Sequence, residues 1–297
     1  MKKVFFIYNP MAGQIQIKSQ LWDILNTFAK ADYDVTVRPT TRSLEARDMV
    51  AARGREFDLI ICSGGDGTLN EVVNGLLEIE ADARPLLGYI PAGSTNDYAY
   101  SLKLPKNMKQ AAQRIVKEKE TAVDVGDFNG RKFVYVAAFG LFSEVSYETN
   151  QDMKNALGHF AYLIEGVKSL TSVNTYHLKV TTEDGVHEGD YLYGMVTNSL
   201  SVGGIYRMRE DDVSFSDGEF EVMLVKQPKT LEDFSAITDF FTDIGGLVPT
   251  EMVESFKCSH LSIESAQPIK WALDGEEGGS TDKVEITVLP KAVRILT

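Results

Sequence analysis

The chain has 297 residues, 43% hydrophobic and 25% charged, a folded globular composition long enough for one large domain or two ordinary ones. Its net charge of −13 argues against nucleic acid as a partner, which needs a basic face to displace counterions, and against nonspecific attachment to anionic lipid. Two distant cysteines, Cys62 and Cys258, offer neither a disulfide framework nor metal-finger spacing, and no segment approaches the roughly 18 apolar residues of a membrane span, so a reducing cytoplasm is the expected setting.

Residues 3–8 read as a strand, cut by Asn9-Pro10 too early to serve as a signal-peptide core. Leu21, Ile24, Leu25 and Phe28 then recur at helical spacing. Residues 34–38 predict a strand, 43–53 a helix, 57–62 a buried strand, 68–79 a helix, 86–90 a strand stopped by Pro91, and 108–119 a helix. Leu69, Val72, Val73 and Leu76 give the helix at 68–79 one apolar stripe, and Thr68 with Glu71 fits a capping box at its start. Strict alternation of strand and helix predicts a parallel sheet covered by helices.

The character changes near residues 124–127. Residues 132–139, 177–182, 191–197, 220–225, 261–264, 269–273 and 284–289 are strand-like, and only 156–170 and 231–244 look strongly helical. This series predicts an antiparallel sheet or sandwich. The expected domains are therefore 1–126, α/β, and 127–289, β-rich, with 290–297 able to return to the first as a short strand.

Three turns follow predicted strands of the first domain: Asn9-Pro10-Met11-Ala12-Gly13, Ser63-Gly64-Gly65-Asp66-Gly67-Thr68 and Pro91-Ala92-Gly93-Ser94-Thr95-Asn96-Asp97. In a parallel sheet the carboxyl ends of the strands share one edge, where ligands bind. Glycines let backbone N–H groups approach an anion, and the following helix adds its unpaired donors and positive dipole end. A carboxylate among those glycines, Asp66, would repel bare phosphate and so suggests a metal ion or ordered water beside the phosphates.

Taken together, Asn9-Pro10-x-Ala12-Gly13, Gly64-Gly65-Asp66-Gly67-Thr68 and Gly93-Ser94-x-Asn96-Asp97 resemble the catalytic domain of diacylglycerol kinases, most closely the bacterial lipid-kinase branch related to sphingosine and ceramide kinases. The similarity continues through Asp124-Val125-Gly126, Asp217-Gly218 and Leu273-Asp274-Gly275-Glu276. The glycine loop alone is shared with NAD kinases and is related to the phosphofructokinase pattern. The resemblance implies a doubly wound α/β nucleotide-binding domain, a C-terminal β-sandwich, and an active site in the cleft between them. It implies that ATP rests on Asn9, Pro10, Ala12, Gly13, Gly64, Gly65, Asp66, Gly67, Thr68 and Asn70, with Thr40, Ser94 and Asn96 nearby.

Phosphoryl transfer needs Mg²⁺ to neutralise and orient the triphosphate, and Asp66, Asp97 and Asp124 are the candidate carboxylates. Asp217 resembles a second, structural magnesium position completed by backbone carbonyls near Ser214 and Glu219. Asp274 and Glu276 match the segment that carries the general base, and a lipid hydroxyl, being a weak nucleophile, needs one; Asp274-Gly275 is also good hairpin-turn chemistry. The four histidines, His159, His177, His187 and His260, show no ligand spacing.

Two features depart from the family pattern. Ser94 stands where the family usually has threonine, and Gln14-Ile15-Gln16 brings no immediate lysine, leaving phosphate charge to backbone N–H, metal, or a more distant base such as Lys18 or Lys168. For the acceptor, Phe139, Leu141, Phe142, Phe160, Tyr162, Leu163, Ile164 and Val167 are read either as a slot for acyl chains or as core. Leu231, Phe234, Ile237, Phe240, Phe241 and Ile244 form a stripe that faces the core or a membrane. The expected activity is an ATP-dependent lipid kinase, cytoplasmic, meeting its substrate at the membrane surface, with room for a homodimer. The alternatives are phosphorylation of NAD or another soluble alcohol, and a nucleotide- or lipid-binding regulator without turnover.

Overall fold

A computed structural model describes residues 1–13, 17–117, 119–140, 174–202, 206–209, 211, 213–242 and 250–297. They form two compact units, Met1–Val125 with Pro290–Thr297, and Gly126–Leu289.

The first unit alternates β1 (Lys2–Tyr8), α1 (Ile17–Lys30), β2 (Tyr33–Pro39), α2 (Glu45–Arg53), β3 (Leu59–Gly64), α3 (Asp66–Leu77), β4 (Leu86–Pro91), α4 (Asp97–Ser101) and α5 (Met108–Val116). Its strands are parallel in the order β4-β3-β1-β2, and Ile295 and Leu296 from the end of the chain pair with Leu87 and Gly88 of β4. Register is level across the sheet: Tyr8 faces Ser63 and Pro39, and Gly64 faces Pro91. The turns after β1, β2, β3 and β4 therefore leave from one edge.

β3 is buried at every position, which explains its continuous apolar run. Side chains alternate across the sheet: Phe6, Leu59 and Ile61 pack in one cluster with Ile24 and Phe28 of α1 and Ala111 and Ile115 of α5. Ile60 points the other way, where a Cβ on Gly54 would touch it together with Val50 and Ile79. Helices on both faces make this a doubly wound α/β domain.

One local expectation fails. α3 begins at Asp66 with Gly65 at its N-cap, so Thr68 lies inside the first turn and no capping box forms. Glu71 instead reaches another helix: its carboxylate accepts the N–H groups of Leu44 (2.9 Å) and Ala46 (3.0 Å). Leu44 is the N-cap residue of α2 and has no side chain able to cap it, so α3 supplies that cap in trans.

The second unit contains β6 (Arg131–Phe133), β7 (Val136–Gly140), β8 (Tyr176–Thr182), β9 (Val186–Thr197), β10 (Ser201–Val202), β11 (Tyr206–Arg207), β12 (Phe220–Lys226), α6 (Leu231–Thr242), β13 (Val253–Cys258) and β14 (His260–Leu273); β5 (Glu120–Phe128) enters it and β15 (Glu276–Leu296) leaves it. The antiparallel order is β13-β12-β9-β7-β14-β15, while β8 pairs with both β9 and β14. β9 and β14 are long enough to take different partners along their length: β14 pairs with β8 through Leu261–Ser265 and with β7 through Trp271–Leu273, with an irregularity between Glu264 and Ile269. Strands that change sheets at a bulge are how sandwich corners are made.

The core of this unit is aromatic. Trp271 lies 5.0 Å from Phe128 and 4.9 Å from Phe139 between ring centroids, and Phe133 packs edge-on to Phe220 at 5.6 Å. Phe139 is thus a core residue. Phe234, Ile237 and Phe240 of α6 are buried and serve the protein's own core, and among the described residues of that stripe only Leu231, at its start, is exposed, at 60%. The predicted helix at 156–170, Leu141, Phe142, Phe160, Tyr162, Leu163, Ile164, Val167 and Ile244 lie outside the described residues. No helix among the described residues is long and apolar enough to cross a membrane.

Candidate active site

The turns after β1, β3 and β4 interlock through glycine. Gly13 has φ +50°, and a Cβ there would sit 1.8 Å from the Ala92 carbonyl oxygen. A Cβ on Gly93 would sit 2.5 Å from Gly65 Cα. A Cβ on Gly64 would collide with the Thr68 side chain at 2.4 Å. A side chain at any of these positions would force the turns apart, so glycine is what lets them pack this closely. Main-chain bonds lock the group: Asn9 N–H to Ser63 carbonyl (2.8 Å) and Ala92 N–H to Gly64 carbonyl (2.8 Å).

The side chains named from sequence in these turns divide by what they hold. Asn9 Oδ1 accepts the Met11 N–H (2.9 Å), and its Nδ2 approaches Thr68 Oγ1 at 3.4 Å. Pro10, Ala12 and Gly67 are half-buried in the turns themselves. Thr40 is buried at the end of β2, its N–H bonded to the Tyr8 carbonyl (2.9 Å). Asn70, one turn into α3, accepts Asn74 Nδ2 at 3.0 Å. Ser94 is exposed at the tip of its turn. Asn96 is in the left-handed region (φ 54°); its Oδ1 accepts the Gly93 N–H (2.9 Å) and its Nδ2 donates to the Gly93 carbonyl (2.7 Å). Both ends of that amide brace the turn. Of the basic candidates, Lys18 is exposed in the first turn of α1, and Lys168 lies outside the described residues.

Asp66 and Asp97 meet at this edge: Asp66 Oδ2 accepts the Asp97 N–H (3.2 Å). Tyr89 is fully buried beside them, and its hydroxyl stays protonated far above the usual range because of burial first and the charges of Asp66 and Asp97 second. Burial likewise pushes the Cys62 thiol far up, making it a packing residue. Asp124 has no exposed surface, and its Oδ1 accepts the N–H of Lys291 at 2.6 Å, tying β5 to the last segment of the chain. Among the described residues no three His, Cys, Asp or Glu side chains converge as a metal site. Magnesium does not need such a cage, because it keeps waters and binds through one or two carboxylates plus substrate phosphates. The Asp66–Asp97 pair fits that donor set.

In the second unit, Asp274 and Gly275 form the two-residue turn between β14 and β15, both at positive φ (51° and 82°) as the twist of a tight hairpin requires. Their side chains part company there. Asp274 is 3% exposed, and its carboxylate accepts three backbone N–H groups: Val134 (2.6 Å), Tyr135 (2.9 Å) and Val136 (3.0 Å). These amides sit in the bend that splits the predicted strand at 132–139 into β6 and β7. Glu276, by contrast, is exposed.

Sequence reading passed over the segment behind this turn. Thr197, Asn198, Ser199 and Ser201 are all buried. Thr197 Oγ1 donates to the Tyr135 carbonyl (2.6 Å), Asn198 N–H donates to the same oxygen (2.9 Å), and Ser199 Oγ donates to the Ser201 carbonyl (2.7 Å). The available signal was Thr-Asn-Ser-x-Ser directly after an apolar strand, a polar run too close to the core to be a solvated loop.

Asp217 lies in the turn before β12. Its Oδ1 accepts the Glu219 N–H (3.3 Å), and Lys257 Nζ lies 3.3 Å from its Oδ2 and 3.0 Å from Glu221 Oε1. Lys257 thus lies beside the carboxylate expected to hold a structural magnesium. The described histidines pair with carboxylates: His177 with Asp190 (2.9 Å), His187 with Glu254 (2.8 Å) and His260 with Glu285 (3.1 Å); His159 lies outside the described residues.

Known proteins resemble this chain in sequence and fold. Residues 3–128 match the family model of the diacylglycerol kinase catalytic domain, and residues 136–297 match that of the YegS C-terminal NAD kinase beta sandwich-like domain. The chain is similar to a diacylglycerol kinase of Bacillus subtilis strain 168, 33% identical over 281 residues that cover 94% of this chain and 91% of the relative. A diacylglycerol kinase of Staphylococcus haemolyticus is 34% identical, with 92% and 82% covered. A crystal structure described as a diacylglycerol kinase from Bacillus anthracis superposes with TM-score 0.78 at 26% identity, covering 99% of this chain and 96% of that one. By sequence match along nearly its full length, and by fold, this chain belongs to the diacylglycerol kinase family.

Proposed function

We propose that the protein is an ATP-dependent lipid kinase that moves the γ-phosphoryl group of ATP to the free hydroxyl of diacylglycerol or a related lipid, giving phosphatidic acid or its equivalent. The observation that carries the nucleotide part is the interlocked glycine edge, where Gly13, Gly64 and Gly93 let three turns pack closely at the carboxyl ends of the parallel strands. Family membership carries the acceptor class.

In this reading the turns after β1, β3 and β4 bind the triphosphate through backbone N–H groups and the first turn of α3. Asp66 and Asp97 would hold Mg²⁺, which supplies charge neutralisation on the phosphates. Asp124, occupied by the Lys291 N–H, serves the fold. Glu276 accepts the proton of the lipid hydroxyl as its oxygen bonds to the γ-phosphorus and the bond to the β-phosphate oxygen breaks, releasing ADP. Asp274 does not take that proton, because three amides already occupy its oxygens; it holds the turn that presents Glu276. The substrate is a lipid, so the enzyme works at a membrane surface.

The test is transfer of ³²P from γ-labelled ATP to a panel of glycerolipids, sphingoid bases and NAD in mixed micelles with Mg²⁺. Label in phosphatidic acid is the expected result. Label in NADP instead would move the protein to a soluble acceptor, and ATP binding without transfer would make it a regulator.

A further inference from the structure

We infer that Thr197 is a positioning residue for the phosphoryl transfer, acting on Glu276 through Tyr135 and Asp274. This rests on the reading of Glu276 as the base. The connection is continuous and buried. Thr197 Oγ1 donates to the Tyr135 carbonyl at 2.6 Å, joined by the Asn198 N–H at 2.9 Å. The Tyr135 N–H donates to Asp274 Oδ1 at 2.9 Å, flanked by the Val134 and Val136 amides. Asp274 returns its own N–H to the Val136 carbonyl (2.9 Å), so the peptide planes of 134–136 and the hairpin turn hold one another from both sides. Two residues on, Glu276 opens β15 opposite Leu273.

The arrangement distinguishes Thr197 from an ordinary core threonine. Val136 faces Thr197 across the β7–β9 ladder, which secures the strands without any side-chain hydroxyl. The hydroxyl is instead spent on the Tyr135–Val136 peptide, whose N–H is one of the three that carry Asp274. Losing it leaves the Asn198 bond and the ladder intact, so the fold survives while the 134–136 bend gains freedom. Freedom of that bend passes to the turn, and misplacement of a catalytic group by about 1 Å costs on the order of a hundredfold in rate.

Thr197→Val keeps the shape and removes the donor, and Thr197→Ser restores the donor. The kinetic constants are measured with labelled ATP and diacylglycerol, beside thermal melts and the Glu276→Gln variant. Expected for Thr197→Val is a kcat lower by about tenfold to a hundredfold, a KM for ATP within about twofold of wild type, and recovery in Thr197→Ser. Thr197→Val added to Glu276→Gln should cost nothing further, because the group being positioned is already gone. Should the valine variant not fold, Thr197→Cys, a weak donor of similar size, takes its place. A lowered melting temperature with unchanged kcat, or a loss that multiplies with that of Glu276→Gln, overturns the inference while leaving Glu276 as the base. Wild-type kcat in Glu276→Gln overturns the reading beneath it.

Discussion

Replacing the two hairpin carboxylates one at a time separates a fold-holding group from a proton acceptor. Asp274 lies 3% exposed under three N–H donors, at 2.6, 2.9 and 3.0 Å. Asp274→Asn turns one oxygen into an amide nitrogen, which faces at least one of those donors with a donor. A hydrogen bond to a charged group is worth about 1.5–3 kcal/mol, and the surviving bonds lose their charge assistance. The total cost is about 3–5 kcal/mol, a large share of the roughly 5–15 kcal/mol that holds a domain folded. For a unit of this size that lowers the melting temperature by roughly 6–20 °C. Glu276 is exposed, and Glu276→Gln should stay within about 0.5 kcal/mol of wild type while kcat falls by about two to four orders of magnitude. Melts followed by circular dichroism and transfer of ³²P to diacylglycerol measure both quantities on the same preparations. An Asp274→Asn enzyme that melts like wild type but has lost turnover, beside an active Glu276→Gln enzyme, would refute the assignment and make Asp274 the base.

Gly93→Ala should abolish ATP binding in calorimetry, since its Cβ would lie 2.5 Å from Gly65 Cα and force the two turns apart; binding at wild-type affinity would mean that these turns do not form the phosphate site. Glu71→Ala removes the trans cap from Leu44 and Ala46 and should cost about 1 kcal/mol in urea unfolding, with Glu71→Gln costing less because one carbonyl acceptor survives. Glu221 is held up at about 7, by burial working against the pull of Lys257. Its folded-state affinity for a proton exceeds that of the unfolded chain, so its contribution is complete below pH 4.5 and disappears as pH rises through about 7. Melts between those limits should lose up to about 3 kcal/mol from this group, and Glu221→Gln should flatten that slope.

What could be read from the sequence was local, and what could not was carried by partners far along the chain. The three glycine turns are legible because Asn-Pro, Gly-Gly and Pro-Ala-Gly chemistry is complete within a few residues. β3 is legible because a strand buried on both faces must be apolar throughout. Glu71 misled because Thr-x-x-Glu has the same spacing whether the glutamate caps its own helix or another, and here its partners are 25 and 27 residues away. Asp274-Gly275 reads correctly as a hairpin, yet nothing nearby announces that its carboxylate serves amides 138 to 140 residues earlier. β13, Val253–Cys258, escaped because Glu254, Ser255 and Lys257 dilute its apolar pattern on a strand at the end of the sheet order. Ser265–Pro268 looks like a turn between two strands and is instead the irregular stretch within β14 that lets one strand pair with β8 on one side of it and β7 on the other.

Phosphoryl transfer from ATP to a lipid hydroxyl is measured most directly as the chloroform-extractable label formed from γ-³²P-ATP and diacylglycerol in mixed micelles with Mg²⁺. Labelled phosphatidic acid is expected with the wild-type protein, and label formed at least about a hundredfold more slowly with Glu276→Gln at equal folded concentration. Folded wild-type protein that binds ATP but labels no lipid in the panel would contradict the proposed transfer.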